Sequence, residues 1–237
     1  MKMQIFDSAD SLAQSAATLI AAEARNAVRA YGRFVWAVSG GHTPWRMLRI
    51  LAAQDVPWNC MQIVQVDERI APFGHQDRNL THLTKSLLEQ SPLRVEQIHA
   101  MPVESPELEA AAEGFARRLS KIAGSPSIFD LVHLGLGADG HTASLVPGDP
   151  VLDVTDSVVA VTGVYQGRRR MTLTYPILNR SRRILWIVSG GAKAAMLARL
   201  RAGDKSIPAG RVNQENALVL ADREAAGKSE PVEFTEE

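Results

Sequence analysis

The chain has 237 residues, of which 46% are hydrophobic and 22% charged, so it can bury a substantial core and disorder is excluded as its main state. It carries 26 basic and 26 acidic residues and no dense basic stripe, which argues against a nucleic acid or an anionic membrane as a partner. The single cysteine, Cys60, can form neither an internal disulfide nor a cysteine-based zinc site, so a reducing, cytoplasmic location is expected. No apolar run reaches the length of a secretory leader core or a membrane span, so neither is expected.

Short apolar runs alternate with stretches of helical periodicity, and this pattern predicts an α/β fold with a single domain. We expect a mostly parallel, doubly wound sheet flanked by helices. Helices are predicted at about 8–31, 44–51, 79–89 and 105–122, the last with Ser105 as its cap. Strands are predicted at 33–38, 61–66, 129–134, 157–161, 170–175, 184–188 and 217–220. The domain should cover residues 1–221, and the charged segment 222–237 should be a loosely ordered tail.

Two stretches of the chain repeat the same strand, glycine turn and helix. The first reads Trp-Ala-Val-Ser-Gly-Gly from Trp36, and the second reads Trp-Ile-Val-Ser-Gly-Gly from Trp186. A glycine turn that opens a helix beyond a strand exposes backbone N–H groups, which suit a phosphate dianion. The residues predicted to hold such a phosphate are Ser39, Gly40, Gly41, Thr43 and, at the position matching Thr43 in the second copy, Lys193. The alternative is a tight turn, a capped helix and a solvated lysine.

The segment from Gly135 to Gly140 matches the glycine spacing of dinucleotide-binding loops, but Pro147 follows too soon for the helix that those loops need. Asp139-Gly140-His141 fits a catalytic loop better. An imidazole suits general-base work at neutral pH, and a carboxylate beside it orients the ring or stabilises the imidazolium. The alternative is a histidine at a turn with an aspartate that caps it.

Asp67 and Arg69 follow another predicted strand, and the period of two places both on one side while Glu68 points away. The Arg69 guanidinium could face the same crevice as His141 and stabilise a phosphate or an oxyanion. A surface ion pair between Asp67 and Arg69 is the alternative. Arg170 begins a strand of which either face could be the buried one. No histidine spacing calls for a metal, and no G-x-S-x-G elbow indicates an acyl-enzyme.

Taken in order along the chain, these motifs resemble 6-phosphogluconolactonases, within the glucosamine/galactosamine-6-phosphate isomerase superfamily. The segments that carry the resemblance are 39–44, 66–69, 134–145, 170–174, 176–179 and 189–193. The resemblance implies hydrolysis of 6-phospho-D-glucono-1,5-lactone to 6-phospho-D-gluconate in the oxidative pentose phosphate pathway. No cofactor or metal is implied, and the only expected partner is the sugar-phosphate lactone. The chain would act as a monomer or a small homo-oligomer.

The resemblance also implies a role for each candidate residue. His141 would be the base that activates water, with Asp139 beside it and Arg69 as the group that binds substrate and stabilises charge. The residues expected to bind the substrate and its phosphate are Ser39, Gly40, Gly41, Thr43, Asp67, Gly140, Arg170 and Lys193. Val146, where a phenylalanine is usual, and the loop 70–78 depart from the family pattern.

Two other functions remain as alternatives. Glucosamine-6-phosphate deaminases share the fold and a D-G-H segment, but an Asn-Glu-Pro follows their histidine and an aromatic residue stands in the place of Arg69. Here the stretch 142–147 contains no acid. A non-enzymatic sugar-phosphate sensor, of the kind joined to helix-turn-helix repressors, would need neither Asp139 nor His141 and would carry a basic DNA-binding segment that this chain lacks.

Overall fold

A computed structural model describes residues 1–227, except for the side chain of His42. The strands, in chain order, are β1 (Lys2–Phe6), β2 (Phe34–Val38), β3 (Met61–Gln65), β4 (Asp67–Arg69), β5 (Ile98–His99), β6 (Leu131–Leu134), β7 (Val159–Val161), β8 (Arg170–Leu173), β9 (Ile184–Val188) and β10 (Ala217–Asp222). The helices are α1 (Ala9–Tyr31), α2 (His42–Ala52), α3 (Asn79–Ser86), α4 (Leu108–Ala123), α5 (Tyr175–Leu178) and α6 (Ala194–Arg201).

Seven strands form the central sheet, in the order β1-β10-β9-β6-β2-β3-β5, and all of their pairings are parallel. Apolar side chains cover both faces. On β2, Val35 packs in the core on one face together with α4, whereas Phe34 and Trp36 pack on the other with α1 and α2. The predicted α/β fold with a mostly parallel, doubly wound sheet is therefore confirmed. Within the described residues, no helix is long and apolar enough to cross a membrane.

The ends of α1 agree with the prediction, because both are fixed by local chemistry. Ser8 caps the helix: its hydroxyl accepts a hydrogen bond from the Ser11 N–H at 3.2 Å, and the Ser11 hydroxyl accepts one from the Ser8 N–H at 3.1 Å. Gly32 ends the helix with a φ of 72°, a conformation in which glycine is favoured.

A second, three-stranded antiparallel sheet, in the order β4-β8-β7, was not predicted. Its register places Asp67 opposite Thr172 and Arg69 opposite Arg170. The predicted strand at 170–175 ends at Leu173, and all four residues of β8 are buried, so both of its faces are covered. The small sheet thus brings the two arginines of separate motifs side by side.

Other boundaries also differ from the prediction. Helix α4 begins at Leu108, and Ser105 does not cap it: the Ser105 hydroxyl accepts a hydrogen bond from the Glu107 N–H at 3.2 Å, which forms a turn before the helix. Strand β10 includes Asp222, and a turn follows it up to Gly227. The rest of the predicted tail, 228–237, lies outside the described residues.

Candidate active site

A cleft of about 370 Å³ opens where β2, β6 and β9 end. Because β6 lies between β2 and β9, the carboxyl ends of these three parallel strands are neighbours, and ligands bind at such edges in α/β sheets. The predicted site residues that line the cleft are Ser39, Gly40, Gly41, Thr43, Asp67, Arg69, His141, Arg170 and Lys193. Asp139 and Gly140 lie outside the lining.

The first glycine turn is closely packed at Gly40 and open at Gly41. A Cβ atom on Gly40 would lie 2.0 Å from Asn79 Oδ1, so no larger residue fits there. Gly41 has a φ of 112° and begins α2 without any side-chain cap, which means that Thr43 does not cap the helix. The turn therefore presents a helix N-terminus to the cleft, an arrangement that suits an anion.

The second glycine turn differs from the first because a carboxylate already occupies it. The Gly190 N–H donates to both oxygens of Asp222, at 3.0 and 3.1 Å, and the Ser189 hydroxyl donates to the same carboxylate. From the second copy, Lys193 lines the cleft. This residue ends a short 3-10 helix and forms no ion pair with any residue in 1–227. The repeated sequence thus gives two turns with different roles.

His141 and Asp139 form a tight pair at the end of β6. His141 Nδ1 lies 2.6 Å from Asp139 Oδ1, and the His141 N–H donates to the same oxygen at 3.2 Å. Gly137 is required beneath them, because a Cβ atom there would lie 2.1 Å from His141 Nδ1. A carboxylate acceptor fixes the proton on Nδ1, so Nε2 is the ring nitrogen left to accept a proton.

The Asp139 carboxylate is held in its charged form. Burial acts to raise its pKa, but the charge of His141 and hydrogen bonds from Tyr165 and His141 outweigh burial, so the pKa lies below its ordinary value. The Tyr165 hydroxyl donates to Asp139 Oδ2 at 2.8 Å. Asp139 thus stays negative and can stabilise an imidazolium.

Arg69 and Asp67 are connected through Asn79. Arg69 Nη1 donates to Asn79 Oδ1 at 2.8 Å, and Asn79 Nδ2 donates to Asp67 Oδ1 at 3.2 Å. The Ser144 hydroxyl donates to Asp67 Oδ2 at 2.6 Å. Within the described residues Asp67 and Arg69 form no ion pair, so the alternative of a surface ion pair between them is wrong. Glu68 points away from the cleft, as predicted, and is fully buried.

The two arginines of the cleft keep unsatisfied donors. In the described part of the chain, Nε of Arg69 and Nε of Arg170 are buried and have no hydrogen-bond partner. Arg170 is only 4% exposed; burial lowers its pKa, and the charge of Asp67 opposes that shift. Buried donors without partners are costly, so both guanidinium groups are held in the site at an energetic penalty.

Three residues that shape the site were missed in the sequence, namely Asn79, Ser144 and Tyr165. Asn79 had a detectable signal, since it opens α3 directly after the loop that follows Arg69. Tyr165 had none, because its position next to Asp139 depends on a hairpin between β7 and β8. Within residues 1–227, no group of three or more His, Cys, Asp or Glu side chains could hold a metal ion.

The chain is similar to known proteins in both sequence and fold. A family model described as "Glucosamine-6-phosphate isomerases/6-phosphogluconolactonase" matches residues 7–220. A Mycobacterium tuberculosis protein named 6-phosphogluconolactonase is 35% identical in an alignment of 240 positions that covers 95% of this chain and 97% of that one. A 6-phosphogluconolactonase structure from Shewanella baltica has a TM-score of 0.80 and 26% identity, covering 94% of this chain and 97% of that one. A monomeric glucosamine-6-phosphate deaminase has a TM-score of 0.83 and 19% identity, covering 97% of this chain and 100% of that one, and this likeness shows the fold alone.

Proposed function

Because the chain belongs to the family of glucosamine-6-phosphate isomerases and 6-phosphogluconolactonases, we propose that it hydrolyses 6-phospho-D-glucono-1,5-lactone to 6-phospho-D-gluconate. This reaction belongs to the oxidative pentose phosphate pathway. The observation that carries the proposal is that His141, paired with Asp139 at 2.6 Å, lines the same cleft as Lys193 and Arg170. A base and an anion site within one cleft are what the hydrolysis of a phosphorylated lactone needs.

The proposed mechanism begins with proton transfer from water to Nε2 of His141. The resulting hydroxide attacks the lactone carbonyl carbon, while the Asp139 carboxylate stabilises the imidazolium. The tetrahedral intermediate then collapses: the bond between the carbonyl carbon and the ring oxygen breaks, and the ring oxygen takes the proton from His141. The product is the open-chain acid, and His141 returns to its neutral form.

The other residues bind the substrate and stabilise charge. Arg69 is positioned by Asn79 to donate to the oxyanion that develops on the carbonyl oxygen. The turn formed by Ser39, Gly40, Gly41 and Thr43 binds the phosphate together with Lys193 and Arg170. Asp67 accepts a substrate hydroxyl. Gly140 allows the catalytic loop to turn, because its φ is 85° and a Cβ atom there would lie 2.8 Å from Ile207.

The deaminase reaction is the second candidate, since the fold supports it equally well. The local residues favour hydrolysis. No carboxylate follows His141 between Thr142 and Pro147, and Arg69 stands where the deaminase pattern has an aromatic residue. The predicted cytoplasmic location, and a monomer or small homo-oligomer as the assembly, remain part of the proposal.

A pH-stat assay tests the proposed function. With freshly generated 6-phosphogluconolactone, the wild-type protein should release acid faster than the spontaneous rate. With glucosamine 6-phosphate it should release no ammonia. If the protein released ammonia from glucosamine 6-phosphate and did not accelerate acid release from the lactone, its activity would be that of a deaminase and not of a lactonase.

A further inference from the structure

The segment between β7 and β8 forms a tight hairpin that reaches the catalytic pair. Tyr165 and Arg168 exchange two backbone hydrogen bonds, of 2.9 and 3.3 Å. The two residues between them, Gln166 and Gly167, have φ values of 51° and 79°, and positive values at both positions are what a type I′ turn requires. A positive φ is uncommon for a residue other than glycine, so the turn holds Gln166 in a defined place.

The hydroxyl of Tyr165 is bound to the acid of the catalytic pair. It donates to Asp139 Oδ2 at 2.8 Å, while the other oxygen of Asp139 holds His141 Nδ1. The Tyr165 ring meets the His141 imidazole edge-on, with centroids 5.6 Å apart and planes at 65°. Tyr165 is not among the residues that line the cleft.

The other side of the same ring lies against Arg170. The guanidinium carbon of Arg170 is 4.9 Å from the ring centroid, within the range of a cation–π contact. Arg170 Nη2 also donates to Gln166 Oε1 at 3.2 Å, and Gln166 Nε2 donates to the Tyr165 hydroxyl at 3.4 Å. A continuous set of hydrogen bonds therefore runs from Arg170 through Gln166, Tyr165 and Asp139 to His141.

We propose that Tyr165 is a positioning residue for the lactone hydrolysis proposed above, on which this inference rests. Through its hydroxyl it fixes the Asp139 carboxylate, so that the imidazole keeps Nε2 directed at the substrate. Through its ring it fixes the Arg170 guanidinium in the anion site. The Tyr165 side chain thus keeps His141 and Asp139 aligned with Arg170, and such alignment of reacting and binding groups raises the rate of catalysis.

The hydroxyl is suited to donate rather than ionise. Burial, and then the hydrogen bond to Asp139, raise the pKa of Tyr165. In return, this hydrogen bond is one of the causes that lower the pKa of Asp139. Loss of the hydroxyl should therefore raise the pKa of Asp139, and the carboxylate would become protonated at a higher pH.

The first test is Tyr165→Phe, which removes the hydroxyl and keeps the ring. We expect kcat to fall about tenfold, the scale of one hydrogen bond to a charged group, with KM changed less than about twofold. The acid limb of the pH–rate profile should move to higher pH. Tyr165→Leu, which also removes the ring from Arg170, should raise KM in addition to lowering kcat.

Two further variants control for structural damage. Tyr31→Phe changes an exposed tyrosine that ends α1, before the amino end of β2 and so at the opposite edge of the central sheet from the cleft, and should leave kcat and the pH profile unchanged. Gln166→Gly removes the link to Arg170 but keeps a residue that tolerates positive φ, so the turn should form. Gln166→Gly should shift KM more than kcat.

A readout without substrate separates this inference from the proposed function. The NMR signals of the His141 ring should move in Tyr165→Phe and stay in place in Tyr31→Phe. Wild-type kcat, an unshifted acid limb and unchanged ring signals in Tyr165→Phe would overturn the positioning role. If the wild-type protein does not hydrolyse the lactone, the proposed function fails, while the ring signals still decide whether Tyr165 positions His141.

Discussion

The three cations of the cleft differ in how far the protein already uses their donors. Arg69 donates to Asn79 and to the Asp77 carbonyl, and Arg170 donates to Gln166. The Lys193 side chain has no hydrogen bond or ion pair with the part of the chain that is described. Its ammonium is therefore the donor most available to a phosphate, whereas the arginines are oriented groups with one donor or more to spare.

This difference predicts the effect of Lys193→Ala. Loss of a charge-assisted hydrogen bond of about 1.5 to 3 kcal/mol should raise KM about tenfold to a hundredfold. The value of kcat should change little, because the phosphate does not react and is bound alike in ground and transition states. Steady-state kinetics measure both, with Lys121→Ala, an exposed lysine of α4, as the control. A large fall in kcat at unchanged KM would assign Lys193 to the chemistry instead.

Gly137 gives a sharper prediction, because the side chains of His141 and Asp139 fill the space that a Cβ atom would need. In Gly137→Ala the new methyl group would lie 2.1 Å from His141 Nδ1 and 2.5 Å from Asp139 Oδ1, so the two side chains must shift. We expect kcat to fall at least about tenfold, since small displacements of a base cost large factors. Gly114→Ala in α4, where the nearest atom is a flexible arginine end at 3.8 Å, should keep full activity. Wild-type kcat in Gly137→Ala would show that the pair is not fixed in this way.

Single residues were predictable where a motif marked them and were missed where only the fold does. Asp139 and His141 are two residues apart, so their contact follows from the loop itself. Tyr165 is 26 residues from Asp139, and Ser144 is 77 residues from Asp67, so neither contact leaves a local pattern. Their detection needs the position of each strand.

Among the elements, the end of β6 is decisive for the site. This strand lies between β2 and β9, so the loop that carries His141 emerges between the two glycine turns. The alternation of strands and helices predicted a parallel sheet, and in such a sheet the carboxyl ends share one edge. The order of the strands was not predictable from the pattern, because apolar runs do not specify which neighbour they pair with.

Helix α1 supplies a stability prediction at this scale. Its capping box uses the hydroxyls of Ser8 and Ser11, and its apolar face packs in the core beneath the central sheet. Ser8→Ala leaves the Ser11 N–H without its partner and should lower the free energy of unfolding by about 1 kcal/mol. Urea denaturation measures this value. Ser120→Ala, inside α4, should change it by less than about 0.5 kcal/mol. An equal loss in both variants would mean that the cap has no special role.

The antiparallel sheet was missed because β4 is too short to show a period; its other two strands were predicted, at 157–161 and 170–175, but their pairing was not. Strand β4 has three residues, and its partner β8 lies about a hundred residues further along the chain. Strand β1 was missed as well, although polar and apolar residues alternate over positions 2–5. The prediction that Ser105 caps α4 was wrong. The Ser105 hydroxyl instead accepts a hydrogen bond from the Glu107 N–H, within a turn that precedes the helix.

At the scale of the whole molecule, the cleft is assembled from both sheets. The central sheet contributes the glycine turns, Lys193 and the loop of His141, while the small sheet contributes Arg69 and Arg170. His141 and the three cations of the cleft therefore come from parts of the chain that meet only when the entire domain is folded. The proposed reaction uses that arrangement, since a lactone anchored by its phosphate presents its carbonyl to one imidazole.

The most direct test of this account is the turnover of His141→Ala together with its affinity for 6-phosphogluconate. The variant loses the base but keeps the phosphate site, so kcat should fall roughly 10²-fold or more while the Kd of the product stays within about twofold of the wild-type value. If His141→Ala hydrolyses the lactone at the wild-type rate, His141 is not the base, and the proposed mechanism is contradicted.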